Sequence, residues 1–93
     1  MRQFSKVLDL LQEESAELIV AISKIKRFGS DSINPLIPNS PTNLQNLIQE
    51  IGDVQALIDV LLNDTVIEIT EEQLVKAKSI KLKKLETFLP IVW

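Results

Sequence analysis

The sequence predicts an all-α fold, an antiparallel helical hairpin plus a third helix, completing a four-helix-type bundle by homo-oligomerisation. Three observations predict it. Apolar residues recur at helical spacing, about 100° per residue, along three long segments. Each segment is bounded by residues that start or stop helices. The one β-branched stretch, Val66-Ile67-Glu68-Ile69, has no second strand to pair with and is expected to be an extended connector. The 93 residues make one domain, 1–93, small enough that its core is marginal without a partner.

The first helix is expected from about Gln3 to Phe28. Leu8, Leu11, Leu18, Ile22 and Ile25 cluster on one side, and Phe4, Val7, Ile19 and Ala21 widen that side to the breadth of a core-facing stripe. Gly29 ends it, as glycine commonly does. From Ser30 to Pro41 the chain holds Pro35, Pro38 and Pro41 and is too broken for regular structure. Ser40 or Thr42 then caps a second helix, with Thr42-x-x-Gln45 resembling a capping box, and this helix runs to about Leu62. Its stripe is Leu47, Ile51, Val54, Ile58 and Leu61. Thr70-x-x-Gln73 repeats the cap signature, and the third helix extends to about Phe88, before Pro90.

Acidic residues intrude on the two longer stripes. Glu14 falls between the directions of Ala21 and Ile25, and Glu17 on the stripe's edge beside Leu10. Glu50 falls between Leu57 and Leu61, and Asp53 at the edge near Val60. Carboxylates are rarely directed at a core unless something positive meets them. Two such pairs on two helices imply a shared cation. Glu13 lies farther round, toward solvent, where it can anchor a second ion or accept a proton from an attacking water.

Composition narrows the chemistry. The chain has no histidine and no cysteine, which removes an imidazole base, a thiol nucleophile, a disulfide framework and a zinc ribbon. A metal must therefore be held by oxygen, which points to magnesium, with manganese as the alternative. A bound ion of this kind would bridge phosphate oxygens and acidify a water. A net charge of −3 disfavours a general nucleic-acid surface. No apolar run approaches membrane-spanning length and no signal-peptide pattern opens the sequence, so a cytoplasmic location without membrane contact is expected.

Simpler readings compete at each position. Glu14 taken alone fits a structural salt bridge to Lys24 or Lys78 as well as it fits a metal ligand. Lys78 projects into the apolar side of the third helix (Leu74, Val75, Leu82, Leu85, Leu89) and either snorkels to water or reaches the acids or a phosphate. Lys81 lies at the margin of that side. Lys24, Lys26 and Arg27 are read as offsetting the dipole at the end of the first helix, Gly52 as allowing close helix packing, and Asp9, Asp59 and Asp64 as solvated.

The run Leu11-x-Glu13-Glu14-x-x-Glu17-Leu18, followed by Glu50-Ile51-Gly52-Asp53-Val54, resembles the signature of the MazG-type all-α nucleoside triphosphate pyrophosphohydrolases. The resemblance spans Val7 to about Phe88 and looks most like the small single-domain members of bacteria and their phages. It implies hydrolysis of a nucleoside triphosphate between the α and β phosphates, in homodimers or dimers of dimers whose neighbouring helices complete the site. It also implies Glu14, Glu17, Glu50 and Asp53 as magnesium ligands, and Glu13 as the acid assisting a further ion or the water. Lys81 matches a phosphate-contacting lysine, Lys84 stands where an arginine is common, and Lys78 is less well matched. The Ser30 to Pro41 loop is longer than the commonest spacing between the two motifs. Two other functions remain open: a catalytically weak nucleotide or metal sensor of the same fold, and a non-enzymatic helical interaction module whose acids pair with lysines.

Overall fold

The computed structural model of the chain describes residues 2–63 and 69–89, which form three helices: α1 (Arg2–Phe28), α2 (Asn43–Leu62) and α3 (Glu71–Phe88). No strand occurs among the described residues. The expected extended connector lies, but for Ile69, outside them.

Local chemistry sets the boundaries. Gly29 has φ +91°, which a side chain would resist, and its N–H bonds the Ile25 carbonyl at 2.8 Å to close α1. Both expected capping boxes form. Thr42 Oγ1 accepts from the Gln45 N–H while Gln45 Oε1 accepts from the Thr42 N–H, and Thr70 and Gln73 repeat the exchange. Thr42 rather than Ser40 is thus the N-cap of α2, and Pro41 precedes the helix. Ser40 works inside the connector instead, its Oγ accepting from the Asn34 N–H at 3.3 Å.

The connector is irregular but organised. The Asn34 side chain accepts from the Leu36 N–H at 3.0 Å, and Asn39 takes a left-handed φ of 58°. Asn43, only 8% exposed, donates from Nδ2 to the Gly29 carbonyl at 3.0 Å and the Lys24 carbonyl at 3.4 Å. The Asn43 and Leu44 N–H groups bond the Ser32 and Ser30 carbonyls. The start of α2 is thereby stapled to the end of α1, using backbone groups that helix ends leave unpaired.

Among the described residues, α1 and α2 are the one extensively packed pair. The less exposed positions of α1 include Phe4, Val7, Leu11, Glu14, Leu18, Ala21 and Ile25, with Ser15 beside Glu14, and those of α2 include Asn43, Leu47, Glu50, Val54, Leu57 and Leu61; the seam takes these without Ser15. Both series alternate steps of three and four, the spacing of a coiled-coil seam. In an antiparallel pair the positions one residue before the seam on each helix share one side, and those one residue after share the other. The seam is narrower than the predicted stripes: Leu8, Ile22 and Ile51 stand 41–42% exposed.

α3 packs lightly. It meets the C-terminal end of α2 around a cavity lined by Ile58, Leu61, Leu62, Ile69, Leu74 and Ala77, and none of its residues is buried. Gly52 differs from expectation. A Cβ placed there would meet nothing within 4 Å, so within one chain it serves no close packing.

Candidate metal centre and adjoining cleft

Glu14 and Glu50 occupy seam positions, where an apolar side chain would be expected, and so face each other across the hairpin. Asp53, one turn beyond Glu50, points to the same place. Glu14, Glu50 and Asp53 each offer a carboxylate oxygen, and these oxygens lie within 4.8 Å of one another. All three residues are half-buried. Oε2 of Glu14 and Oε2 of Glu50 are buried without a hydrogen-bond partner. A buried anionic oxygen left unpaired is costly, and a low-dielectric site that holds several raises the cost further. Gln49 Nε2 donates to Asp53 Oδ1 at 2.8 Å and fixes that side chain's orientation.

The electrostatics are one-signed. Burial pushes the Glu14 carboxyl up to about 7, assisted by the Glu17 charge, a hydrogen bond with Glu50, and the charges of Asp53 and Glu50. Every side chain acting on Glu14 is a carboxylate, and neither Lys24 nor Lys78 is among them. The salt-bridge reading of Glu14 therefore finds no support among the described residues. Oxygen-only donors, converging geometry and two orphaned oxygens fit a hard divalent cation.

Glu17 lies outside this set of three but beside it. It lines a cavity of about 280 Å³ together with Val20, Ala21, Lys24, Asn46 and Glu50. Glu13 is exposed and precedes the Glu14 seam position by one residue, which puts it on the same side of the hairpin as Glu17. Lys78, Lys81 and Lys84 are exposed on α3. Lys78 lines the cavity between α2 and α3 with Asp59, and none of the three lines the cavity beside the acids. The cation lining that cleft among the described residues is Lys24, a residue read from sequence as a helix-dipole partner. Asn46 went unnoticed in the sequence. Its signal was available: it sits one turn before Glu50, on the side that Asp53 occupies.

The raised Glu14 carboxyl has a pH consequence. Its ordinary value is 4.5 and its folded value about 7, so between these limits the folded chain holds more protons than the unfolded one. Glu14 then lowers stability as pH rises through this window. Denaturant titrations in chelator should show wild type losing stability from pH 5 to pH 8, with Glu14→Gln showing a shallower decline. A divalent cation held by these acids would take the ionised form, so at pH 7 its binding should release protons, measurable as a buffer-dependent heat. Identical pH profiles for the two proteins would remove Glu14 as the titrating group.

No protein-family model, curated protein or solved structure gives a match to this chain.

Proposed function

We propose that this chain is a magnesium-dependent nucleoside triphosphate pyrophosphohydrolase that cleaves between the α and β phosphates, giving the monophosphate and pyrophosphate, and that it works as a homo-oligomer. The convergence of Glu14, Glu50 and Asp53 with two buried, unpartnered oxygens carries this reading. The two sequence motifs support it, since they supply these same residues.

Glu14, Glu50 and Asp53 would hold the ion, with Glu17 completing the set from the cleft wall. Magnesium, when bound, supplies positive charge to the phosphate oxygens and a more acidic water. The chain's own residues do the rest. The apolar seam around Glu14 and Glu50, formed by Leu11, Leu18, Val54 and Leu57, keeps bulk water from the inner oxygens. Gln49, donating to Asp53 Oδ1, would steady that carboxylate beside the ion. Glu13, exposed and one residue from Glu14, would take a proton from an attacking water. Lys78, Lys81 and Lys84 of a second copy's α3 would offset phosphate charge from across the assembly, as point cations rather than bidentate clamps.

Incubation with a panel of ribonucleoside and deoxynucleoside triphosphates in magnesium should release pyrophosphate, and not orthophosphate, from at least one of them. Manganese should substitute and chelator should abolish the release. Orthophosphate as the only first product would reject the assigned bond. Inactivity across the panel, with magnesium and nucleotide still bound, would favour the sensor function.

A further inference from the structure

A second cavity, of about 720 Å³, opens at the mouth of the hairpin, where α1 ends, the connector folds back and α2 begins. Its size falls in the range of small-molecule sites, about 300–1,000 Å³. It shares two wall residues, Lys24 and Asn46, with the smaller cavity that reaches Glu17 and Glu50. The two cavities therefore adjoin, with Lys24 and Asn46 at the waist between them. On one side of that waist the wall is acidic. On the other it is apolar and amide-bearing: Phe28, Ile33 and Pro35 with Asn34 and Asn43, and Asp31 as the charged group. Among the described residues lining either cavity, Lys24 is the only cation.

We propose that the hairpin-mouth cavity seats the nucleoside of a nucleoside triphosphate and that Lys24, at the waist, contacts its phosphate chain. This rests on the pyrophosphohydrolase reading and gives the substrate its direction in the site. Charge decides the direction. Asp31 would repel a polyphosphate placed in the mouth, whereas it accepts hydrogen bonds from a ribose hydroxyl or a base amino group. Phe28 stands 63% exposed at the rim, its ring carrying the Arg27 guanidinium 5.6 Å from the centroid, and offers a face for stacking. With the nucleoside so placed, the phosphates run past Lys24 and Asn46 toward Glu50 and the metal-ligating acids. The Lys24 backbone is held independently, its carbonyl bonded by buried Asn43, so changing the side chain leaves the hairpin mouth intact.

The test compares wild type with Lys24→Gln, Lys24→Arg and Phe28→Ala. Binding is measured in magnesium to α,β-methylene nucleoside triphosphates, which resist cleavage, and to inorganic tripolyphosphate. Stabilisation by magnesium alone serves as the control for metal site and fold. Lys24→Gln should weaken both anions about tenfold or more, the loss expected of a hydrogen bond between charged groups. It should leave the magnesium effect unchanged, and Lys24→Arg should restore binding. Phe28→Ala should weaken the nucleotide analogue about tenfold by loss of stacking and leave tripolyphosphate untouched. If wild type binds and Lys24→Gln binds equally well, the proposal fails and the activity stands. Phe28→Ala weakening tripolyphosphate as much as the nucleotide overturns the direction. Wild type that binds magnesium but neither anion removes the hydrolase reading and this proposal together.

Discussion

Glu50→Gln and Asp53→Asn should each abolish magnesium-dependent turnover while leaving the metal-free chain at least as stable as wild type. Groups that merely support a metal ligand cost about 10–100-fold when removed, so loss of a ligand should exceed about 100-fold in kcat. The stability half is the sharper test. The three acids bring carboxylate oxygens within 4.8 Å of one another, so replacing one by its amide removes like-charge repulsion whenever no metal is bound. Asparagine at position 53 can still accept from Gln49, whose Nε2 lies 2.8 Å from Asp53 Oδ1. Metal linkage should disappear at the same time. Wild type in magnesium at 100 times its dissociation constant gains about 2.7 kcal/mol, and the variants should gain far less. A large loss of stability in chelator would mean that the acids pair with lysines, and the metal reading would fall.

Much of the architecture was legible because its signals are local. Thr42 with Gln45, Thr70 with Gln73, and Gly29 each act within one turn, and each sits where the pattern placed it. The acidic intrusions were legible for the same reason, since helical periodicity alone puts Glu14 and Glu50 on the packed side. The rest depends on which surfaces meet. Periodicity gives a helix a broad apolar stripe but does not say which part of it faces the neighbouring helix. Leu8, Ile22 and Ile51 share the stripes with Leu18 and Leu61 yet lie off the seam. The role of Asn43 was hidden because its partners, the Lys24 and Gly29 carbonyls, are backbone groups brought near only by the reversal of the chain. The place of Lys24 was hidden likewise. A cation in a last helical turn has a sufficient local explanation, and only the hairpin shows that it walls both cavities.

At micromolar concentration the protein should sediment as a dimer or larger, with no folded monomer. The three helices lie nearly in one layer, with extents of 45 × 39 × 15 Å, whereas a stable core normally needs at least two layers. The radius of gyration is 16.6 Å, against about 12 Å for a compact domain of this length. Only Ala21 and Leu61 are buried apolar residues among those described. The side of the hairpin opposite Glu17, Lys24 and Asn46 carries the positions one residue past the seam, among them Leu8, Ile19 and Ile22 on α1 and Leu44, Ile48 and Ile51 on α2. All six are exposed in the single chain, Ile19 by 65% and Ile48 by 61%. So extensive an apolar surface marks a partner site, and a second copy across a two-fold axis covers it most simply. Each large side chain so covered contributes about 1.5–3 kcal/mol. Ile19→Asp and Ile48→Asp separate the alternatives. On a free surface each stays within about 0.5 kcal/mol of wild type, whereas at a subunit interface each should dissociate and unfold the protein together. A well-folded, active monomer, or aspartate variants indistinguishable from wild type, would remove the oligomer. The lysines of α3 would then have no route to the acidic cleft from a second copy.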